Sequence, residues 1–321
     1  LVVTRRALVT GGAGFIGSHV AEALLASRHD VVLIDDLSHG KLSNVPAGAK
    51  LEHLDIRSPE AALLVRDGGF DSMFMLAAQM DVRVSVADPV ADASCNILGT
   101  LNLLEAARRA THRPRVIFSS TGGAIYGDAN TPPSLEESAK DPESPYGISK
   151  LSVEYYLAYY ARTHGLETVA LRYANVYGPR QDPHGEAGVV AIFCQHLLDA
   201  KPLTIFGDGR QTRDYVFVTD VAAANVLAST VALPEIKRLD DRAINIGTGV
   251  ETSVLSLAES LKRSSSATAP IAFAPKRAGE QQRSCIGIDK ARRILGWDPK
   301  VSLDAGLAQT YAWFKNAGGA A

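Results

Sequence analysis

Ala7-Leu8-Val9-Thr10-Gly11-Gly12-Ala13-Gly14-Phe15-Ile16-Gly17, running on into Ser18 to Ala26, decides the fold. A short apolar run ends in glycines at 11, 14 and 17, and helical apolar spacing follows, so the stretch reads as strand, glycine turn and helix. Glycine at these positions allows a tight turn, close approach of backbone to a pyrophosphate and close packing of helix on strand. The unpaired N–H groups of the helix N-terminus then offer a place for phosphate. The second apolar run, Val31-Val32-Leu33-Ile34, ends in Asp35 about twenty residues further on. A carboxylate there can accept hydrogen bonds from an adenosine ribose diol and would repel the extra phosphate of NADP, so NAD is the expected cofactor.

Outward from this unit the alternation continues. Strands are expected at Lys50 to Leu54, Asp71 to Leu76, Arg115 to Phe118 and between Thr168 and Tyr173, with helices at Pro59 to Val65 and, much longer, at Asp92 to Arg109. The pattern predicts an α/β fold with a Rossmann-type doubly wound parallel sheet. Asp55 falls just past one strand end, either against adenine or as a helix cap before Ser58-Pro59. Ala77-Ala78-Gln79 falls past the next, where ligands collect in such sheets. Beyond Tyr173 the alternation weakens and charged and aromatic residues cluster in loops. The expected division is therefore a cofactor domain over 1–175, to which some later segments return, and a smaller, discontinuous C-terminal substrate lobe mainly over 176–321.

At 321 residues, 46% hydrophobic and 21% charged, the chain can bury a large core. A formal net charge of -2 and a pI near 6.5 give no basic field, which argues against nucleic acid as a main partner. Cys95, Cys194 and Cys285 are widely spaced with no C-x-x-C, a pattern of reduced thiols in a cytoplasmic protein rather than of disulfides or a zinc site, and no metal is expected. No apolar run is long enough to span a bilayer, and Leu1 to Ala7 lacks a secretory hydrophobic region, so no membrane partner is expected. Asp220, after Val216-Phe217-Val218, is expected to cap a helix.

Tyr146-Gly147-Ile148-Ser149-Lys150 carries the candidate chemistry. Pro145 precedes an apolar-aromatic run, Leu151 to Tyr160, and if that run is helical Tyr146 and Lys150 share one face four residues apart. A free phenol titrates near pH ~10, and a neighbouring ammonium stabilises the phenolate, making a base usable at neutral pH.

These stretches, with Asp35-Asp36-Leu37-Ser38 and Leu76-Ala77-Ala78-Gln79, resemble the extended short-chain dehydrogenase/reductase family from about Arg6 to Trp297, and within it the NAD-dependent UDP-glucose 4-epimerases. The resemblance implies NAD on Gly11, Gly14, Phe15, Ile16, Gly17, Asp35, Asp36, Ser38 and Gly40, then on Asp55, Ile56, Leu76, Ala77, Ala78, Gln79 and Asn96, and finally on Tyr146, Lys150 and Tyr173. Asn96 reads otherwise as a surface residue of its helix. The implied reaction is epimerisation at C4 of a UDP-hexose through a transient 4-keto sugar, with the N-acetylhexosamine forms as further substrates. Tyr146 acts there as base, Lys150 as its activator and a Ser/Thr as hydrogen-bond partner of the sugar hydroxyl.

In the family that Ser/Thr stands four residues before the tyrosine of the loop, here Tyr126, and the position is occupied by Gly122. The Gly122-Gly123 pair reads as a one-residue lengthening that lets Thr121 reach the same place, with Ser120 as the alternative. Met75 and Met80 stand where relatives carry His and, in some epimerases, Lys. Tyr173-Ala174-Asn175-Val176-Tyr177-Gly178 resembles a segment that turns Asn175 toward the nucleotide sugar. The substrate is further implied to meet Val189, Thr204, Phe206, Arg213 and Tyr215, then Arg277, Glu280 and Ser284. Arg213 and Arg277 would grip the diphosphate, and Ser284, seven residues after Arg277, would border the sugar's 2-substituent or be an ordinary strand-edge residue.

The resemblance also implies a homodimer through the Asp92 to Arg109 helix and the helix after Lys150. The alternatives are a 4,6-dehydratase or UDP-glucuronate decarboxylase/epimerase of the same fold, and a non-catalytic NAD-sensing protein. A dehydratase would need an Asp-Glu pair after Thr121, where Gly122 and Gly123 can neither remove nor donate protons.

Overall fold

A computed structural model of the protein describes residues 4–128, 130–184, 188–276 and 281–318. In chain order, β1 (Arg6–Thr10), α1 (Phe15–Ala26), β2 (Asp30–Asp35), β3 (Lys50–His53), α2 (Pro59–Asp67) and β4 (Ser72–Met75) come first. Next are α3 (Val82–Ala87), α4 (Pro89–Ala93), α5 (Thr100–Arg109), β5 (Arg115–Thr121), α6 (Pro145–His164) and β6 (Thr168–Tyr173). The second half holds β7 (Asn175–Tyr177), α7 (Val189–Leu198), β8 (Leu203–Phe206), β9 (Thr212–Arg213), β10 (Tyr215–Phe217) and α8 (Val218–Ala228). It ends with β11 (Ala243–Ile246), β12 (Thr252–Ser253), α9 (Val254–Ser265), β13 (Ile271–Ala274), α10 (Asp289–Leu295) and α11 (Leu303–Gly318).

Seven strands form one parallel sheet in the order β11-β6-β5-β4-β1-β2-β3, the expected doubly wound α/β fold. From β1 the chain winds out to β3, then returns to build β4, β5 and β6 on the other side, so β1 and β4 flank the point where the winding reverses and a crevice opens. Helices cover both faces of the sheet, and the side chains of each strand alternate between the two. Ala7 and Val9 pack under α1, α8 and α10 with Val20, Leu24, Val221 and Leu295. Leu8 points the other way, into a core shared by α2, α5 and α6 with Val65, Leu104, Val153 and Leu157. A third core joins α7, α9, α11, β8 and β10 around Phe193, Leu257 and Phe314.

The structure differs from the sequence expectation at the long helix, at Asp55 and at Asp220, among other places. The long helix begins earlier, at Pro89 behind the Asp88 cap, whose carboxylate accepts from Ala91 N at 2.9 Å, and it is broken by a π-helical segment, Ser94–Gly99, before α5 resumes. Hydrophobic spacing cannot show such a local register change. Asp55 does not cap α2; Ser58 does, accepting from Ala61 N at 3.1 Å, while the Asp55 carboxylate is taken by Arg57, which holds it below the usual carboxylate range. Asp220 lies in the first turn of α8 but ties the chain elsewhere, its Oδ2 accepting from Lys300 N and Val301 N at 3.0 Å.

Candidate active site

The glycine turn is shaped by contact as well as by conformation. Gly11 has φ +68, and a Cβ on it would sit 2.8 Å from Ala77 N; on Gly17 a Cβ would fall 2.0 Å from the Gly11 carbonyl oxygen. Thr10 ties the two strand ends together, its Oγ1 accepting from Leu76 N and Ala77 N at 3.2 and 3.1 Å. Gly14 precedes helix α1 and gives it no side-chain cap, so Phe15 and Ile16 stand at an uncapped helix N-terminus. Asp35, buried at the end of β2, accepts from Ala13 N and Leu37 N at 2.9 Å, one on each oxygen, so each oxygen keeps a lone pair for a diol. Gly40 packs against it so closely that a Cβ would meet Asp35 Oδ1 at 2.5 Å, and Asp36 is engaged by Ser38. The donor set fits a dinucleotide with an unphosphorylated ribose.

Asn96 is buried in the π segment rather than exposed. Its side chain accepts from Gln79 N at 3.0 Å and donates to Gln79 O at 2.8 Å, fixing the end of the Leu76–Gln79 run beside the glycine turn. Two expected cofactor residues lie deeper. Ile56 is in the core under Gly99, and the Tyr173 hydroxyl is bonded to Asn225, burial raising its pKa.

Helix α6 delivers Tyr146 and Lys150. It is started by Ser144, whose Oγ accepts from Gly147 N at 3.2 Å, with Pro145 in the first turn, and is stopped by Gly165 in the left-handed region at φ +67. Lys150 is buried, donates to Ser119 O at 2.9 Å, and lies 4.7 Å from the Phe118 ring centroid and 5.8 Å from that of Tyr146. Burial pulls its pKa down to about 8.

One turn on, Glu154 binds Arg172, both fully enclosed, and accepts from Ser120 Oγ. The helix is thus fastened twice to β5, at Ser119 and Ser120. Strand alternation then separates the two hydroxyl candidates. Ser120 faces the Glu154–Arg172 pair, whereas Thr121 faces the opposite way. The Oγ1 of Thr121 and the Oδ1 of Asn175 each lie 3.9 Å from where a Cβ on Gly123 would be, so that glycine keeps the space between them open. Gly122 N donates to Tyr173 O at 2.7 Å and begins the turn.

The second lobe faces this edge with lighter construction. In β8, Leu203 and Ile205 enter the core while Thr204 and Phe206 stand on the half-buried side. Arg213 is half-buried in the two-residue β9, its Nη1 donating to Thr212 O at 2.8 Å, and buried Ser284 donates its N–H to the same carbonyl at 3.2 Å. Thr212 is also held by Glu251, which pairs with Arg283. Val189 opens α7, and Tyr215 is buried in the lobe core against Tyr177. Arg277 and Glu280 lie outside the described residues.

Sequence reasoning missed Thr10, Asp92, Ser149, Glu154 and Arg172. Glu154 had a signal, since it continues the four-residue spacing from Tyr146 and Lys150. The others act through partners distant in sequence and carry none.

The chain matches the NAD dependent epimerase/dehydratase family over residues 7–247. It is 43% identical over 316 residues to a UDP-glucose 4-epimerase of Mycolicibacterium smegmatis, covering 97% of this chain and 99% of the relative. Among solved structures, a Thermotoga maritima UDP-glucose 4-epimerase with UDP-glucose is 44% identical with a TM-score of 0.91, and a Thermus thermophilus UDP-glucose 4-epimerase in complex with NAD is 42% identical with a TM-score of 0.87. Each alignment covers 97% of this chain and 99% of the other.

Proposed function

We propose that this chain, which belongs to the NAD dependent epimerase/dehydratase family, interconverts the C4 epimers of a UDP-hexose, UDP-glucose and UDP-galactose first among them, with NAD as its cofactor. The observation that carries the reading is the buried Lys150 ammonium 5.8 Å from the Tyr146 ring, on a helix fastened to the strand that ends in Thr121. When bound, NAD supplies reversible oxidation of the sugar carbon. Tyr146, as phenolate, takes the 4-hydroxyl proton and later returns it, while Lys150 favours the phenolate by its charge. Thr121 hydrogen-bonds the reacting oxygen. Gly123 leaves the space beside Thr121 and Asn175 open, room a 4-keto sugar needs to present its other face. With Gly122 and Gly123 after Thr121, the loop offers no acid–base pair for a dehydratase.

The crevice residues around Gly11, Asp35 and Gln79 hold the cofactor. Arg213, with Arg277, binds the diphosphate; Thr204 and Phe206 border the base; Asn175, Val189, Tyr215, Glu280 and Ser284 complete the substrate lobe, which begins near residue 176. Ile148, Tyr155 and Tyr159 leave an exposed apolar stripe on α6, with Leu98 exposed on the neighbouring π segment, and these faces pair in a homodimer. No helix among the described residues is long and apolar enough to cross a membrane, and with three unpaired thiols the protein works in the cytoplasm. Incubation with UDP-galactose, followed by NMR of the sugar nucleotides, tests the reading: UDP-glucose should accumulate to a fixed ratio, and unchanged UDP-galactose would sink it.

A further inference from the structure

We infer that Asp92 is a positioning residue for the Tyr146–Lys150 pair, a buried carboxylate that locks the cofactor-side loop to the catalytic helix and whose negative charge sets the pH range in which the pair works. The inference rests on the reading of that pair as catalytic. Asp92 is 1% exposed, at the end of α4, and both oxygens of its carboxylate are bonded to residues around the site. Its Oδ1 accepts from Gln79 Nε2 at 3.0 Å and from Asn96 Nδ2 at 2.9 Å. Its Oδ2 accepts from Ser149 Oγ at 2.6 Å, and Ser149 sits next to Lys150 on α6. One carboxylate therefore joins the loop after β4, the π segment and the catalytic helix.

Burying a carboxylate is costly unless it is paired, and three neutral donors do not neutralise it. Lys150, buried on the helix packed against α4, feels the Asp92 charge through space, and that charge favours its ammonium. Other titratable groups face the same spot. The Cys95 thiol on the π segment acts on Lys150 in the same direction as Asp92, and burial pushes its own pKa up. The carboxylate of Asp81, which caps α3, is taken by Arg83. Arg57 pairs with Asp55. Tyr173 on β6 is bound to Asn225, and burial raises its pKa.

Asp92→Asn isolates the charge. The amide oxygen can keep accepting from Gln79 and Asn96, and the new NH2 can donate to Ser149 Oγ once that hydroxyl turns. Losing a negative charge makes both the Tyr146 phenolate and neutral Lys150 easier to reach. Both limbs of the kcat/KM–pH profile should therefore move to lower pH, by about one unit. The near-ultraviolet phenolate signal that disappears in Tyr146→Phe should titrate lower by the same amount, with bound NAD and melting temperature near those of the wild type. Ser149→Ala, which keeps the charge, should lower kcat without moving either limb. If Asp92→Asn does not fold, Asp92→Ser deletes the same charge and leaves room for water.

Limbs that stay in place in the folded charge-deleted protein would overturn the inference, as would an equal shift in Ser149→Ala. A wild-type protein with no phenolate signal attributable to Tyr146 would instead overturn the catalytic reading beneath it.

Discussion

The helix face carrying Tyr146, Lys150 and Glu154 and the border formed by Arg213 and Ser284 are built in opposite ways. On α6 the three residues repeat at one helical spacing, and the helix is anchored to β5 through Lys150 to Ser119 O and Ser120 to Glu154, with Arg172 enclosed behind. The Arg213–Ser284 border rests on a two-residue strand, an isolated bridge from Thr212 to Arg283 and an ion pair between half-buried Glu251 and exposed Arg283. On the proposed function the contrast separates two tasks. Proton transfer needs groups held to within fractions of an ångström by rigid elements, whereas choosing a substrate needs only the right charges and the right free volume. Changes on α6 should therefore appear in turnover, and changes on the border in substrate affinity or choice.

Tyr146→Phe is the strongest way to break the comparison. Turnover should fall by ~10²-fold or more with NAD and UDP-sugar still bound, since only the proton-transfer group is lost. Activity within about threefold of wild type would remove α6 from the chemistry. Arg213→Ala comes next: loss of a charge-assisted hydrogen bond to the diphosphate should raise KM by roughly tenfold or more while kcat stays close to wild type. A fall in kcat at unchanged KM, read from the same saturation curves, would erase the division between the two regions.

The pH response sharpens it further. Burial lowers the Lys150 pKa to about 8, so its cation, and with it the support of the phenolate, is lost as pH rises through that value. At one unit above, roughly a tenth of the lysine remains protonated, and turnover should fall about tenfold; a rate still climbing there would contradict the assignment of Lys150. The smallest effect on UDP-glucose is expected from Ser284→Tyr, within about threefold, yet the added ring should abolish epimerisation of UDP-N-acetylglucosamine by filling the space beside the sugar's 2-substituent. Equal losses on both substrates, measured side by side, would show that Ser284 does not gate sugar size.

The same division explains what the sequence revealed. The glycine turn, Asp35 and the Tyr146–Lys150 pair are local patterns in which spacing and geometry are nearly the same thing, and the parallel sheet follows from alternation alone. Separating Thr121 from Ser120 needed the strand to run to Thr121, three residues past its expected end, because only then does alternation place the two hydroxyls on opposite faces. Asp92 could not be read at all: its partners lie at Gln79, Asn96 and Ser149, and a register break intervenes that hydrophobic spacing does not record. The border was legible only as isolated arginines and a serine, because what aligns them is pairing between segments some seventy residues apart.

The most direct test of C4 epimerisation by oxidation and reduction is to run the reaction in heavy water. Purified protein given UDP-galactose should form UDP-glucose carrying no deuterium at C4, because the carbon-bound hydrogen leaves and returns without exchanging with solvent, and Tyr146→Phe should form almost none. Deuterium at C4 of the product, or no UDP-glucose from the wild-type protein, would contradict the account.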